Sequence, residues 1–208
     1  MAGSHPDEPS APARTETNPV LSHLPDVGLA VAAIAVGAWA LPLPQAAFAG
    51  VLAILVTIVA AVDRRLYIIP DTANLGLAVV GLALVLWEAP TGDWAAPLAE
   101  AVARGLLAGL VFWALRALHR AARGVEGLGL GDVKLAAAGA PWLAWGSLVP
   151  VLELAVVAAL IAVVIDARAR RTGPRLDDTV PFGVFLAPAL WLGFLAERTG
   201  ILDRFMPW

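Results

Sequence analysis

The sequence contains no cysteine in 208 residues, which removes disulfides, thiolate metal sites and cysteine nucleophiles together. Charge is scarce as well, with Asp, Glu, Lys and Arg making up 15% of the chain. A soluble domain of this size seldom manages on so little, because it must cover its core with polar surface. The net charge of -3 is too small to imply nucleic acid or any other highly charged partner. Three histidines, His5, His23 and His119, are scattered without a metal-ligand spacing, so no metal site is expected. The start of the chain also lacks the basic segment and adjoining apolar stretch of a secretory signal. Residues 1–24, rich in Pro, Ser, Thr and acids, instead suggest a disordered cytoplasmic tail. No break in composition marks a second domain, so residues 25–208 are expected to form one transmembrane unit.

What the chain has in abundance is apolar sequence: 60% hydrophobic residues and a mean hydropathy of +0.79. A helix needs about 20 apolar residues to cross the hydrocarbon of a bilayer. Runs near 26–43, 46–62, 73–90, 95–117, 132–146, 148–166 and 181–197 meet or approach that length. The expected fold is an all-α, polytopic bundle of about seven helices, with six or eight also compatible with the run boundaries. The fifth run is short and contains Gly and Pro, which suits a tilted or half-buried helix.

Lys and Arg set the orientation. Arg64 and Arg65 follow the second run, Arg116, Arg120 and Arg123 close the fourth, and Arg168, Arg170, Arg171 and Arg175 follow the sixth. All fall on one side if the N-terminus is cytoplasmic. The opposite loops, around PLPQ and EAPTGDW, carry no Lys or Arg, and Trp39, Trp87, Trp94, Trp142 and Trp145 gather near them as interfacial aromatics do. Only Arg198 and Arg204 oppose this arrangement.

Within that topology two acids fall at the cytoplasmic boundary. Asp63 ends the second run after VTIVAAV, and Asp132 opens the fifth after GLGLG. Charge near the bilayer is costly, so acids facing a bundle interior tend to be functional. Two close carboxyls cannot both ionise freely; sharing one proton, they can serve as base and acid for attack of water on a peptide carbonyl. Such chemistry uses no metal or organic cofactor. The glycines in Gly127-Leu128-Gly129-Leu130-Gly131-Asp132 would let a substrate strand approach closely. Each acid also has a structural reading: Asp132 as the cap of a helix after a Gly-rich loop, and Asp63 as a juxtamembrane acid neutralised by Arg64 and Arg65. On these residues alone both readings stand.

The neighbouring residues carry a resemblance. The stretch Asp63-Arg64-Arg65-Leu66-Tyr67-Ile68-Ile69-Pro70-Asp71, with Asn74 after it, resembles the first catalytic block of the type IV prepilin peptidases. Gly129-Leu130-Gly131-Asp132-Val133-Lys134-Leu135, followed by Ala-rich sequence to Gly139 and Trp142, is similar to their GxGD block. Pro181-Phe182-Gly183 resembles a third, weaker block. Order, spacing and membrane context agree across about residues 46–195.

This resemblance implies a GxGD-type aspartyl endopeptidase of the bacterial inner membrane. Its catalytic pair would be Asp63 and Asp132, cutting a short basic leader from prepilins or pseudopilins at the cytoplasmic face. Gly129, Gly131, Lys134, Pro70, Asp71, Asn74, Pro181, Phe182 and Gly183 would bind substrate or shape the site. Asp71 suits a helix cap ahead of a substrate-positioning role, and Lys134 a snorkelling anchor ahead of an electrostatic effect on the acids. Bifunctional members carry a cytoplasmic segment, usually with paired cysteines, linked to N-methylation. Here the first two runs are joined by a few residues and cysteine is absent, so the chain resembles the short, peptidase-only form, as in the processing enzymes of tight-adherence pili or archaeal-type flagellins. S-adenosylmethionine binding is then not expected. The rival readings are a small proton-coupled transporter, since paired intramembrane acids also serve proton relays, and an inactive pilin-binding scaffold.

Other charges have local readings. Glu100 and Arg104, four apart, suit a paired helix surface. Asp166 suits pairing with the arginines beside it, and Glu153, inside the sixth run, calls for a partner within the bundle. The oligomeric state has no signature in the sequence.

Overall fold

Backbone amides have no partner in hydrocarbon other than one another, so each apolar run closes into a helix. The computed structural model describes residues 19–124, 127–169 and 180–201, with the backbone alone for 19–24 and 123. Among the described residues seven helices follow in order: α1 (Pro19–Ala40), α2 (Leu43–Leu66), α3 (Asp71–Glu88), α4 (Ala95–Arg123), α5 (Leu130–Gly139), α6 (Trp145–Ala169) and α7 (Gly183–Arg198). A 3₁₀ turn, Ala140–Trp142, continues α5. No strand occurs among the described residues. The chain is thus all-helical, as its hydropathy implied. By length and composition α2, α3, α4 and α6 can each cross a membrane.

The fifth run differs from its expected form. Instead of one helix over 132–146, a ten-residue helix meets the 3₁₀ turn, and Leu143 is already extended. Pro141 lies in that turn; its ring bars continuation of regular α-helix, and the chain turns into α6. The last turns of α4 run past the expected end at 117, and α1 begins at Pro19, taking in residues 19–24 of the expected tail. The rest of that tail lies outside the described residues, as do Arg170, Arg171, Arg175 and Arg204.

Helix association in lipid relies on close packing and interhelical hydrogen bonds, because lipid tails are as apolar as the side chains. α5 shows this: Leu135, Ala136, Ala138 and Gly139 are buried, and the helix lies against α3, α4 and α7. α2 packs between α1 and α7, and α6 leans on α7. Trp142, expected at the membrane interface, is instead 1% exposed. Its Nε1 donates to the Leu77 carbonyl of α3 at 2.9 Å, and its ring meets Phe194 edge-on with centroids 5.7 Å apart. The indole can enter the core because that carbonyl satisfies its one polar atom. Trp39, Trp87, Trp94 and Trp145 are exposed.

Charges near the two ends of the bundle join separate helices. Arg64 and Arg65 of α2 each donate to Asp26 of α1 at 2.6 Å. At the opposite end Arg198 of α7 makes a two-pronged pair with Glu88 of α3, which neutralises a positive charge on the side opposite Asp63. Arg104 is 8% exposed, so Glu100 and Arg104 are not the surface pair expected; the guanidinium lies 3.8 Å from Glu100 and faces the Trp145 ring at 5.9 Å. Glu153 departs the other way: it lies on the exposed face of α6, not inside the bundle.

Candidate active site

The end of the bundle that carries Asp63 gathers three helix starts and one helix end. α2 stops because Tyr67 adopts a left-handed conformation, φ 55° and ψ 33°, and its N–H closes on the Asp63 carbonyl at 2.9 Å. A non-glycine residue in that region is uncommon and strained, and such strain clusters at functional sites. The turn sends Ile68-Ile69-Pro70 across the mouth of the bundle before α3 begins. Pro70, extended at φ −64° and ψ 130°, is the residue that caps α3, and its carbonyl accepts the Ala73 and Asn74 amides.

Asp63 and Asp132 are both buried, at 5% and 8% exposure, and each comes from a different helix. They line one cleft of about 410 Å³, with Tyr67, Pro70, Gly129 and Gly131 among the other walls. Two carboxyls facing one cleft disfavour each other's ionisation. Asp63 Oδ2 accepts the Val184 N–H at 3.2 Å, so the start of α7 points at it; the positive end of a helix dipole favours an anion there. Both arginines beside Asp63 turn to Asp26, and the carboxyl turns inward to α7.

Asp132 lies in the first turn of α5, with its carboxyl beside Gly129. Gly129 is the cap residue and Asp132 lies three residues on, so Asp132 does not cap the helix as its structural reading had it. Its Oδ1 is buried without a partner among the described residues. A buried carboxyl oxygen left unsatisfied costs free energy, and a group that binds there regains it.

Two glycines permit the arrangement by close approach. A Cβ on Gly183 would sit 2.7 Å from Asp63 Oδ2 and 2.9 Å from Ile69 Cδ1. One on Gly131 would sit 3.1 Å from Ile69 Cβ. Ile69, 7% exposed, is therefore the wedge on which the starts of α5 and α7 both rest. Ile69 and Tyr67 lie within the first block of the resemblance, which singles out neither as a site residue. Ile69 carried one usable signal, an apolar residue immediately before a proline at a helix start; Tyr67 carried none.

The remaining candidates fall into separate places. Asp71 does not cap α3: it is the first helical residue and makes no capping bond. Its Oδ1 accepts from Lys134 Nζ at 2.7 Å, so Lys134 is not a free snorkelling anchor either. The pair joins α3 to α5 at the rim of the cleft, and both side chains are largely exposed, 75% and 44%, so it adds little stability. Phe182 packs against Phe112 of α4 with centroids 6.3 Å apart, and the Pro181 carbonyl accepts the Val184 N–H at 3.2 Å; together they fix the start of α7 behind Asp63. Asn74 is outside the cleft, in an adjoining groove. No cluster of three His, Asp or Glu side chains able to hold a metal occurs among the described residues.

The pattern of the type IV leader peptidase family matches residues 50–165, a stretch that holds both acids. The chain belongs to that family. A prepilin leader peptidase/N-methyltransferase of Burkholderia pseudomallei (strain 1026b) is 36% identical over 173 residues, covering 81% of this chain and 53% of that protein. Proteins of the same name from Dickeya chrysanthemi and Klebsiella pneumoniae are 34% and 36% identical, each over 68% of this chain and over 47% and 60% of their own. The chain spans about half the length of the curated relatives it matches. No solved structure matches it. Four apolar helices and bacterial relatives make this a bacterial membrane protein of the leader peptidase family.

Proposed function

We propose that this protein is an aspartyl endopeptidase that removes the basic leader from prepilin or pseudopilin substrates through Asp63 and Asp132. One observation carries the reading: two buried carboxyls, supplied by α2 and α5, line a single open cleft. The pair holds one proton. Its ionised member takes a proton from water as the water oxygen bonds to the scissile carbonyl carbon. Its protonated member gives its proton to the carbonyl oxygen, producing a neutral tetrahedral diol. As the C–N bond breaks, the first carboxyl passes its proton to the departing nitrogen. The second recovers its own from the diol, which collapses to the new carboxylic acid. The pair titrates as a unit, so neither residue is assigned one role.

The arginines of α2 and the end of α4 belong, on this reading, to the cytoplasmic face of the inner membrane, with the N-terminus on the same side. α1 and α2 are joined by Leu41 and Pro42 alone, and the chain has no cysteine. This supports a peptidase without methyl transfer. Purified protein in liposomes is expected to release the leader from a prepilin without added metal or S-adenosylmethionine, and to leave the new N-terminus unmethylated. Proton flux without any cleavage would instead support a transporter.

A further inference from the structure

α3 and α4 both rest on α5, which is much shorter than either, so the two long helices flank an open trough with α5 as its floor. The trough has a volume of about 700 Å³ and an almost wholly apolar lining. Ala78 and Leu82 of α3 face it from one side, Leu106 and Leu110 of α4 from the other, and Ala137 and Pro141 form the base. It runs about three helical turns along α4, from Val102 to Trp113. Leu106 and Leu110 remain 70% and 59% exposed, presented to the bilayer.

Two features distinguish this trough from ordinary lipid-facing surface. First, Asp71 and Lys134 line both it and the acid cleft, so the two cavities adjoin at that ion pair. Second, Asn74 lines the trough one turn along α3 from Asp71, is 5% exposed, and leaves both Oδ1 and Nδ2 without a partner among the described residues. A lipid tail offers an amide nothing. The start of a polypeptide helix offers partners for both, because its first turn leaves N–H groups unpaired and the extended chain leading into it keeps free C=O groups. A helix lying in the trough with its end at Asn74 would also be placed to pass, as extended chain, over the Asp71–Lys134 rim to the two carboxyls.

We infer that the trough between α3 and α4 is the docking site for an apolar helix of the substrate that adjoins the scissile bond, with Asn74 holding the end of that helix. The inference rests on the peptidase reading and adds to it where the membrane-embedded part of the substrate lies. Lipid and a second copy of the chain are the other occupants the experiment separates.

Two substrates with the same leader and junction are compared, one continuing into an apolar helix in liposomes, the other a soluble peptide ending just beyond the junction. Ala78→Phe fills the trough and should raise KM for the helical substrate roughly tenfold or more, with kcat and peptide cleavage unchanged. Asn74→Leu should raise KM for the helical substrate several-fold more than for the peptide; it removes an unsatisfied buried amide, so the fold does not suffer. A photo-crosslinking residue at the exposed position 106 should capture the helical substrate. Cleavage of both substrates with no change in either variant overturns the docking site, and so do equal losses on both. Capture of lipid alone, or of a second copy alone, at position 106 overturns it too. Cleavage of neither substrate by the wild type overturns the peptidase reading itself, and the docking site with it.

Discussion

Asp132→Asn and Asp63→Asn should each lower leader removal by roughly 10²–10⁴-fold, the scale lost when a positioned acid or base is removed. Asparagine keeps the size of the side chain, and at position 63 it can still accept the Val184 amide, so the helix starts should stay in place. It cannot take up or release the proton. Replacing one buried carboxyl by a neutral amide also ends the competition of the two acids for ionisation, so thermal stability should hold or rise. Because the carboxyls act as a unit, the double variant should be no slower than the slower single one, as groups in one catalytic unit are strongly non-additive. Cleavage assays on purified variants, with melting curves beside them, check all three statements. Losses that multiply in the double variant would mean that the two acids act independently.

Gly183→Ala should be nearly as damaging, although it adds a single methyl group and touches no charge. The added carbon would fall 2.7 Å from Asp63 Oδ2 and 2.9 Å from Ile69 Cδ1, closer than real Cβ atoms come. Asp63 is held at that place by the Val184 amide from the next residue, so the helix start cannot move away without losing the bond. The carboxyl must swing instead. A displacement of about 1 Å in a catalytic group can cost about 10²-fold. Gly28→Ala is the control, because nothing lies within 4 Å of that position and activity should be unchanged. The comparison is made on kcat, since the substitution acts on geometry at the reacting bond.

These predictions depend on contacts of unequal visibility in the sequence. The long helices were legible because α2, α4 and α6 are continuous apolar runs bounded by charge, and hydropathy registers that directly. α5 was not, because ten residues ending in Gly and Pro blend into the apolar start of α6; only packing against α3, α4 and α7 shows where it stops. Trp142 was misplaced for a related reason. An indole near a span end looks interfacial until a carbonyl such as that of Leu77 is seen to take its N–H. The ends of the acid-bearing helices were visible, but the pairing of Lys134 with Asp71 was not, since it joins residues far apart in sequence across two helix starts. Nor does any local pattern reveal that Asn74 is buried and unpartnered, or that Tyr67 is left-handed; both are imposed by neighbours.

The absence of cysteine allows a direct test of the convergence of α2 and α5, because engineered thiols have no competitor in the chain. In the variant Asp63→Cys/Asp132→Cys, assembled in native-like membranes, a short bifunctional thiol reagent should join positions 63 and 132 within one chain. The control Asp63→Cys/Glu88→Cys pairs opposite ends of the bundle and should stay unlinked. Linkage of the control pair, or its failure at 63 and 132 when each thiol is separately reactive, would contradict the shared cleft.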